Sequence, residues 1–254
     1  MTIDLRPVRT ELLGSVLVMT LDRPAARNAI NREVATALSV ALDHLEKRPE
    51  LTAGVLTGAG GHFCAGMDLK AFPSEGIPVV GQLGLAGLTR RARTKPLIAA
   101  VEGYAVAGGF ELALACDLIV AGESAQFGLP EVQRGLIAGE GGAIRLPQRL
   151  PHHLAMELLL TGDPMPAATA FGHGLVNRLV PDGAALTTAL TLATRISRNA
   201  PLALAAVQQI VRAVTEADAF ALQDPLYHKV SASVDAREGA LAFSEKRPPR
   251  WQGR

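Results

Sequence analysis

EGYAVAGGFELALACDLIVAGESAQFGLPE, residues 102–131, sets two carboxylates and a glycine corner inside an otherwise apolar run. Strand-like Leu97, Ile98 and Val101 lead into it and Gly103 breaks the strand. The small-residue corner Ala107-Gly108-Gly109 then opens onto FELALAC, which has helical character. A helix that begins at such a corner presents backbone N–H groups with no partner inside the helix, at the end its peptide dipoles make electropositive. A developing oxyanion is stabilised there. Glu111 lies one turn inside, and Glu131 follows a second strand, DLIVA, and a Phe-Gly-Leu-Pro turn. From these residues alone two readings stay open. Either Glu111 is a dipole partner of its own helix and Glu131 the charged tip of an exposed turn, or the two face one cavity as an acid/base pair.

On the N-terminal side, AGVLTG (53–58) reads as a short buried strand running into GAGGHFCAGMDLKAF (58–72). Its glycines let backbone approach a ligand. It lacks the third glycine of a dinucleotide fingerprint and the GK[ST] ending of a phosphate loop. Met67 and Asp68 are expected to begin a new helix whose free N–H groups point at a ligand; the other reading is an ordinary glycine-rich connection. Residues 71–82 are rich in Pro and Gly, suited to a flap over a pocket. A helix over 82–94 is expected to end in Arg90, Arg91, Arg93 and Lys95, a solvated cluster or one that meets a polyanion. Further upstream, VRTELLGSVLVMTLDRP gives two short strands about Gly14. Asn31 caps a helix with Val34, Leu38, Ala41, Leu42 and Leu45 on one stripe, ending near Arg48-Pro49.

Downstream, QRGLIAGEGGAIRLPQRL predicts a turn and a short helix. PHHLAMELLLTG predicts a helix framed by Pro151 and Gly162, and LVNRLV a last short strand. From about residue 183 the pattern is helical, with apolar residues around more of the circumference than one core-facing stripe requires. These helices are therefore expected to pack against another subunit as well.

The chain has 254 residues, 48% hydrophobic and 19% charged, enough to bury a substantial core and too apolar for disorder. A formal net charge of +1 gives no reason to expect nucleic acid or a membrane surface as partner. The apolar region 97–121 is interrupted by Glu102, Glu111 and Asp117, which argues against a membrane span. The N-terminus resembles neither a secretory signal nor a transit peptide, so a cytoplasmic protein is expected. Cys64 and Cys116 read as buried free thiols. Six histidines show no HExxH or other ligand spacing, so no metal site is expected, and GxSxG is absent, so no serine hydrolase either.

The order of these pieces resembles the crotonase, or enoyl-CoA hydratase/isomerase, superfamily. The likeness runs over essentially the whole chain: LDRPAARNAIN at 21–31, GAGGHFCAGMDL at 58–69, KPLIAAVEGYAVAGGFELALACDLIVA at 95–121, FGLPEVQRGL at 127–136 and AFSEKRPPRW at 242–251. It implies an α/β fold, a crotonase-like spiral of ββα units over residues 1–195, and a C-terminal helical trimerisation region over 196–254, assembled as a homotrimer or dimer of trimers. It implies an acyl-CoA thioester as substrate, no metal and no separate cofactor. The thioester oxygen would lie between the backbone N–H groups of Met67 and Gly108. Hydratases of the family carry glutamates matching Glu111 and Glu131, many isomerases keep only one, and dehalogenase-like members use a different carboxylate with a histidine. The resemblance therefore implies an enoyl-CoA hydratase, with Glu131 donating a proton to the α carbon and Glu111 positioning water, as in fatty-acid β-oxidation. An isomerase, another acyl-CoA reaction or a non-catalytic homologue is the alternative. CoA would run along Ala26, Arg27, Ala65 and Asp68, with Arg23 or Lys70 near phosphates and Phe243 and Lys246 reaching a neighbouring subunit's CoA. One departure from the family's P-G-x-G-G turn is A-G-E-G-G, which adds Glu140; it reads first as a surface charge, and otherwise as a group that alters the water network.

Overall fold

The computed structural model describes residues 2–215, 217–250 and 252; Trp251, in the last of the quoted blocks, lies outside them. Among the described residues ten strands run in chain order as β1 (Thr2–Leu5), β2 (Val8–Leu13), β3 (Val16–Leu21), β4 (Ala53–Gly58), β5 (Leu97–Val101), β6 (Tyr104–Val106), β7 (Leu118–Gly122), β8 (Gln126–Gly128), β9 (Met165–Pro166) and β10 (Arg178–Val180). The helices are α1 (Arg32–Lys47), α2 (Phe72–Glu75), α3 (Gly108–Ala115), α4 (Gly142–Arg149), α5 (His152–Thr161), α6 (Ala167–Gly172), α7 (Ala185–Ile196), α8 (Pro201–Thr215), α9 (Ala217–Ser231) and α10 (Val234–Glu245).

A seven-stranded sheet of order β1-β2-β3-β4-β5-β7-β10 forms the floor. β1, β2 and β3 pair antiparallel, and the pairs from β3 to β10 are parallel. Parallel strands covered on both faces need near-continuous apolar sequence, which VLVMTL, AGVLTG, LIAAV and LIVAG supply. Alternation then sorts the faces: Val16, Val55, Ile98 and Val120 meet Ala185, Ala189 and Ala193 of α7, while Leu17, Met19, Leu56 and Ala99 join the larger core with α1. The three alanines recur every fourth residue, so α7 lies against the sheet along one narrow stripe. Asn31 caps α1 through its Oδ1, which accepts the Val34 N–H at 3.0 Å. A second sheet, β6-β8-β9, branches off after Gly103. Its strand β8 takes in the start of the Phe-Gly-Leu-Pro stretch that the sequence assigned to a turn, and all three of its strands are only two or three residues long.

The helix expected over 82–94 does not form. Gly84 (φ 75) and Ala86 (φ 52) both take left-handed backbone, which no α-helix contains. Nor is the arginine cluster a solvated face. Arg91 pairs with Asp43 at 2.6 Å and Arg93 with Asp117 at 2.9 Å, and the Arg93 side chain is only 1% exposed. A buried guanidinium needs such a partner to offset lost hydration. Both cysteines are buried and free, their thiols pushed up to about 12 by burial. No helix among the described residues is long and apolar enough to cross a membrane.

Candidate active site

Four separate segments converge on one cavity. The first is the 58–68 loop, anchored by a residue to which the sequence reading assigned no role. Asn28 (φ 57, 1% exposed) donates through Nδ2 to the carbonyls of Ala59 (2.9 Å) and His62 (2.7 Å), and its Oδ1 accepts the Arg23 N–H at 3.0 Å. The two loops are thereby sewn together, and Ile30 forms a parallel bridge with Met67. Ile30 N–H donates to Gly66 O and Asp68 N–H to Ile30 O, both at 2.8 Å. Met67 sits between those bonds, so its own N–H turns to the other side. The helix expected at Met67 and Asp68 is absent; the bridge, and not a helix end, frees this amide.

The second amide arises as expected, where α3 begins at Gly108. Ala107 before it holds φ 50 and ψ −131, a conformation costly for a residue with a Cβ, and is pinned by its N–H donating to Gly128 O at 2.8 Å. A Cβ placed on Gly66 would lie 3.1 Å from the Gly108 nitrogen, and one on Gly108 would lie 3.7 Å from the Met67 nitrogen. The two loops meet backbone to backbone at Gly66 (φ 85), where a Cβ would crowd the facing strand; at Gly108 the close neighbour of a Cβ would be the end of the Leu85 side chain. Among the described residues neither amide has an acceptor.

The acids supply the rest. Glu111, 3% exposed, accepts the N–H groups of Glu140 (2.8 Å) and Gly142 (2.9 Å) on the same oxygen, Oε1. Burial pushes its carboxyl up to about 7 against the pull of those two N–H donors. Glu131 stands on a single turn of 3-10 helix, Pro130–Arg134. Its Oε2 is buried with no hydrogen-bond partner, and burial, with the charge of Glu111 second, holds this carboxyl well above the usual range. An orphaned buried carboxylate oxygen is expensive, and its presence marks a position built to act on something else.

Glu140 is no surface charge. It is 7% exposed, and its Oε2 accepts the Leu85 N–H (2.8 Å) and the Thr89 hydroxyl (2.6 Å), while Oε1 lies 3.4 Å from Arg90. The carboxylate therefore ties the 84–90 segment to the turn whose amides hold Glu111. A charge inside a glycine-rich turn was the one signal in the sequence that could have shown this.

Met67, Gly108, Glu111 and Glu131 line one cavity of about 210 Å³, together with Ala65 and Phe243. Phe243 lines the cavity of its own chain, where Arg134 stacks on its ring at 4.7 Å. Arg27 and Ala65 line an adjoining cleft of about 370 Å³, with Arg27 over the Tyr104 ring at 5.6 Å. Ala26 ends the turn Pro24–Ala26 beside it. Arg23 and Asp68 are paired with each other at 3.0 Å, which pulls the Asp68 carboxyl below its ordinary value against the cost of its burial. Lys70 is exposed, and Lys246, also exposed, closes α10 in left-handed backbone.

Two N–H donors facing a pair of carboxyls of raised pKa can stabilise a carbonyl oxygen as it gains charge and move protons at the neighbouring carbons. The comparisons with known proteins agree with this chemistry. A family model described as enoyl-CoA hydratase/isomerase matches residues 11–254. The chain is 45% identical to enoyl-CoA hydratase EchA19 of Mycobacterium tuberculosis over 254 residues, which is 96% of each protein. It is 43% identical to the carnitinyl-CoA dehydratase of Proteus mirabilis over 252 residues, covering 95% of this chain and 96% of that one. The crystal structure of carnitinyl-CoA hydratase from Mycobacterium avium superposes with a TM-score of 0.93 at 45% identity, covering 98% of this chain and 99% of that one.

Proposed function

Because the chain belongs to the enoyl-CoA hydratase/isomerase family, we propose that it adds water reversibly across the 2,3 double bond of a 2-enoyl-CoA thioester. The observation that carries this reading is the pair Glu111 and Glu131 on one cavity, with Oε2 of Glu131 buried and unpartnered. An isomerase moves a single proton and needs one such acid; addition of water needs one group for the water and one for the α carbon. In the hydration direction the thioester oxygen accepts from the Met67 and Gly108 amides, which draws electrons out of the double bond. Ionised Glu111 takes a proton from water as its oxygen bonds to the β carbon. Protonated Glu131 gives its proton to the α carbon as the enolate collapses. The reverse sequence dehydrates a 3-hydroxyacyl thioester, and the relatives named hydratase and dehydratase describe these two directions. CoA arrives as part of the substrate, its chain in the cleft at Arg27 and Ala65.

The test is loss of the enoyl thioester absorbance after addition of crotonyl-CoA, and its pH dependence carries the mechanism. Hydration needs the pair to hold one proton. With Glu111 pushed up to about 7, kcat/KM should fall as pH drops below about 7, because protonation removes the base. It should fall again as pH rises through the raised pKa of Glu131, when that group ionises. The two limbs belong to the pair and not to either acid alone. A profile flat from pH 5 to pH 9 would contradict the division of labour between base and proton donor.

We further propose that residues 196–254 serve assembly as a homotrimer or a dimer of trimers, working in the cytoplasm. Leu202 (87% exposed), Ile210 (64%) and Val207 (59%) leave an apolar face on α8, of the kind that marks subunit contact. Light scattering at micromolar concentration should give a trimeric or hexameric mass; a monomer would count against the assignment.

A further inference from the structure

The cavity and the cleft share Ala65, Val106 and Pro130, so a thioester whose CoA chain lies in the cleft enters on that side. Gly139 and Tyr227 line the cavity alone. Acyl carbons beyond the two glutamates enter a space that the tyrosine lines together with Leu69, Ile77, Leu136 and Ile137. The tyrosine ring lies directly on the Gly139 backbone, for a Cβ built there would fall 2.0 Å from a ring carbon.

Nor can this ring slide aside easily, because the helix that carries it is fastened on the same face. Gln223 donates through Nε2 to Gly139 O. Asp224 pairs with Arg90 at 2.8 Å, and Phe220 lies under the guanidinium groups of Arg90 (4.7 Å) and Arg145 (5.5 Å). Positions 220, 223, 224 and 227 are neighbours on one side of a helix. The space that Tyr227 helps to line, about 210 Å³, falls below the ~300–1,000 Å³ of ordinary small-molecule pockets.

We propose that Tyr227 sets the acyl chain length, admitting short 2-enoyl groups and stopping long ones; this rests on the assignment of the cavity to an acyl-CoA. Each methylene that a pocket gains room for is worth about 10- to 200-fold in kcat/KM. Wild type should prefer crotonyl-CoA over trans-2-decenoyl-CoA. Tyr227→Ala should raise the decenoyl-to-crotonyl ratio of kcat/KM by about 10²-fold, chiefly through a lower KM for the long substrate. Tyr227→Phe, which keeps the ring, should keep the wild-type ratio. Should Tyr227→Ala not fold, Tyr227→Leu asks the same question, with calorimetric binding of saturated butyryl-CoA and decanoyl-CoA as a second readout. The proposal is overturned if the ratio is unchanged on shortening the side chain, if Tyr227→Phe shifts it as far as Tyr227→Ala, or if wild type already accepts the long chain equally. If no 2-enoyl-CoA is hydrated by wild type, the hydration reading fails by itself, and the saturated thioesters still decide the role of Tyr227.

Discussion

Glu131→Gln lowers kcat for crotonyl-CoA hydration by about 10²–10⁴-fold, the range a positioned proton donor contributes, while KM changes little. The substitution keeps the shape of the side chain and removes only the proton to be given. A folding readout separates this from general damage. The folded-state pKa of Glu131 stands well above its ordinary value of 4.5, so the folded chain binds that proton more tightly than the unfolded chain. Stability from this group is complete below about pH 4.5 and is lost as pH rises toward the folded pKa. At pH 8, therefore, Glu131→Gln should melt higher than wild type, and the gain should vanish near pH 4. An inactive variant that melts higher at pH 8 fits a stability cost carried for function; one that melts lower there would point to a structural role. Glu111→Gln should follow the same pattern with a loss of similar order, since a glutamine oxygen still accepts the Glu140 and Gly142 amides.

Met67→Pro costs ~10²–10³-fold in kcat, the loss expected from deleting one oxyanion donor; Met67→Leu, which keeps the N–H and changes only the side chain, stays within a few-fold of wild type. Proline is tolerated where a backbone N–H makes no ladder bond. The bonds of the Ile30–Met67 bridge are made by the N–H groups of Ile30 and Asp68 and leave that of Met67 unused. The preceding residue is Gly66, whose lack of a Cβ removes one of the clashes proline usually imposes. Equal activities in the two variants would show that the amide does not touch the reacting oxygen.

What could be read from the chain alone follows a physical divide. Strands buried on both faces, such as LIAAV and LIVAG, declare themselves by composition, and Asn31 and Gly162 mark helix ends by chemistry local to a few residues. The glycine corner at 107–109 belongs to this class, and so Gly108 and Glu111 were legible. Met67 was reached for the wrong reason: nothing local says that residue 67 would bridge to residue 30, since that pairing depends on Asn28 joining loops more than thirty positions apart. The arginines at 91 and 93 misled because surface and interior clusters look alike until Asp43 and Asp117 are brought beside them. Glu140 reads first as a surface charge, and Tyr227 carries no signal of its own, for the same cause: their partners lie on segments far away in sequence.

The clamp of α9 on the Gly139 turn has a bearing on how the chain is made. Synthesis runs from the N-terminus, and domains tend to fold as they emerge. The amides and both acids leave the ribosome well before residues 220–227 do. Until α9 docks, the nascent site stands open to water where the acyl tail would stop, so ligand selectivity is acquired only after the catalytic groups have been made.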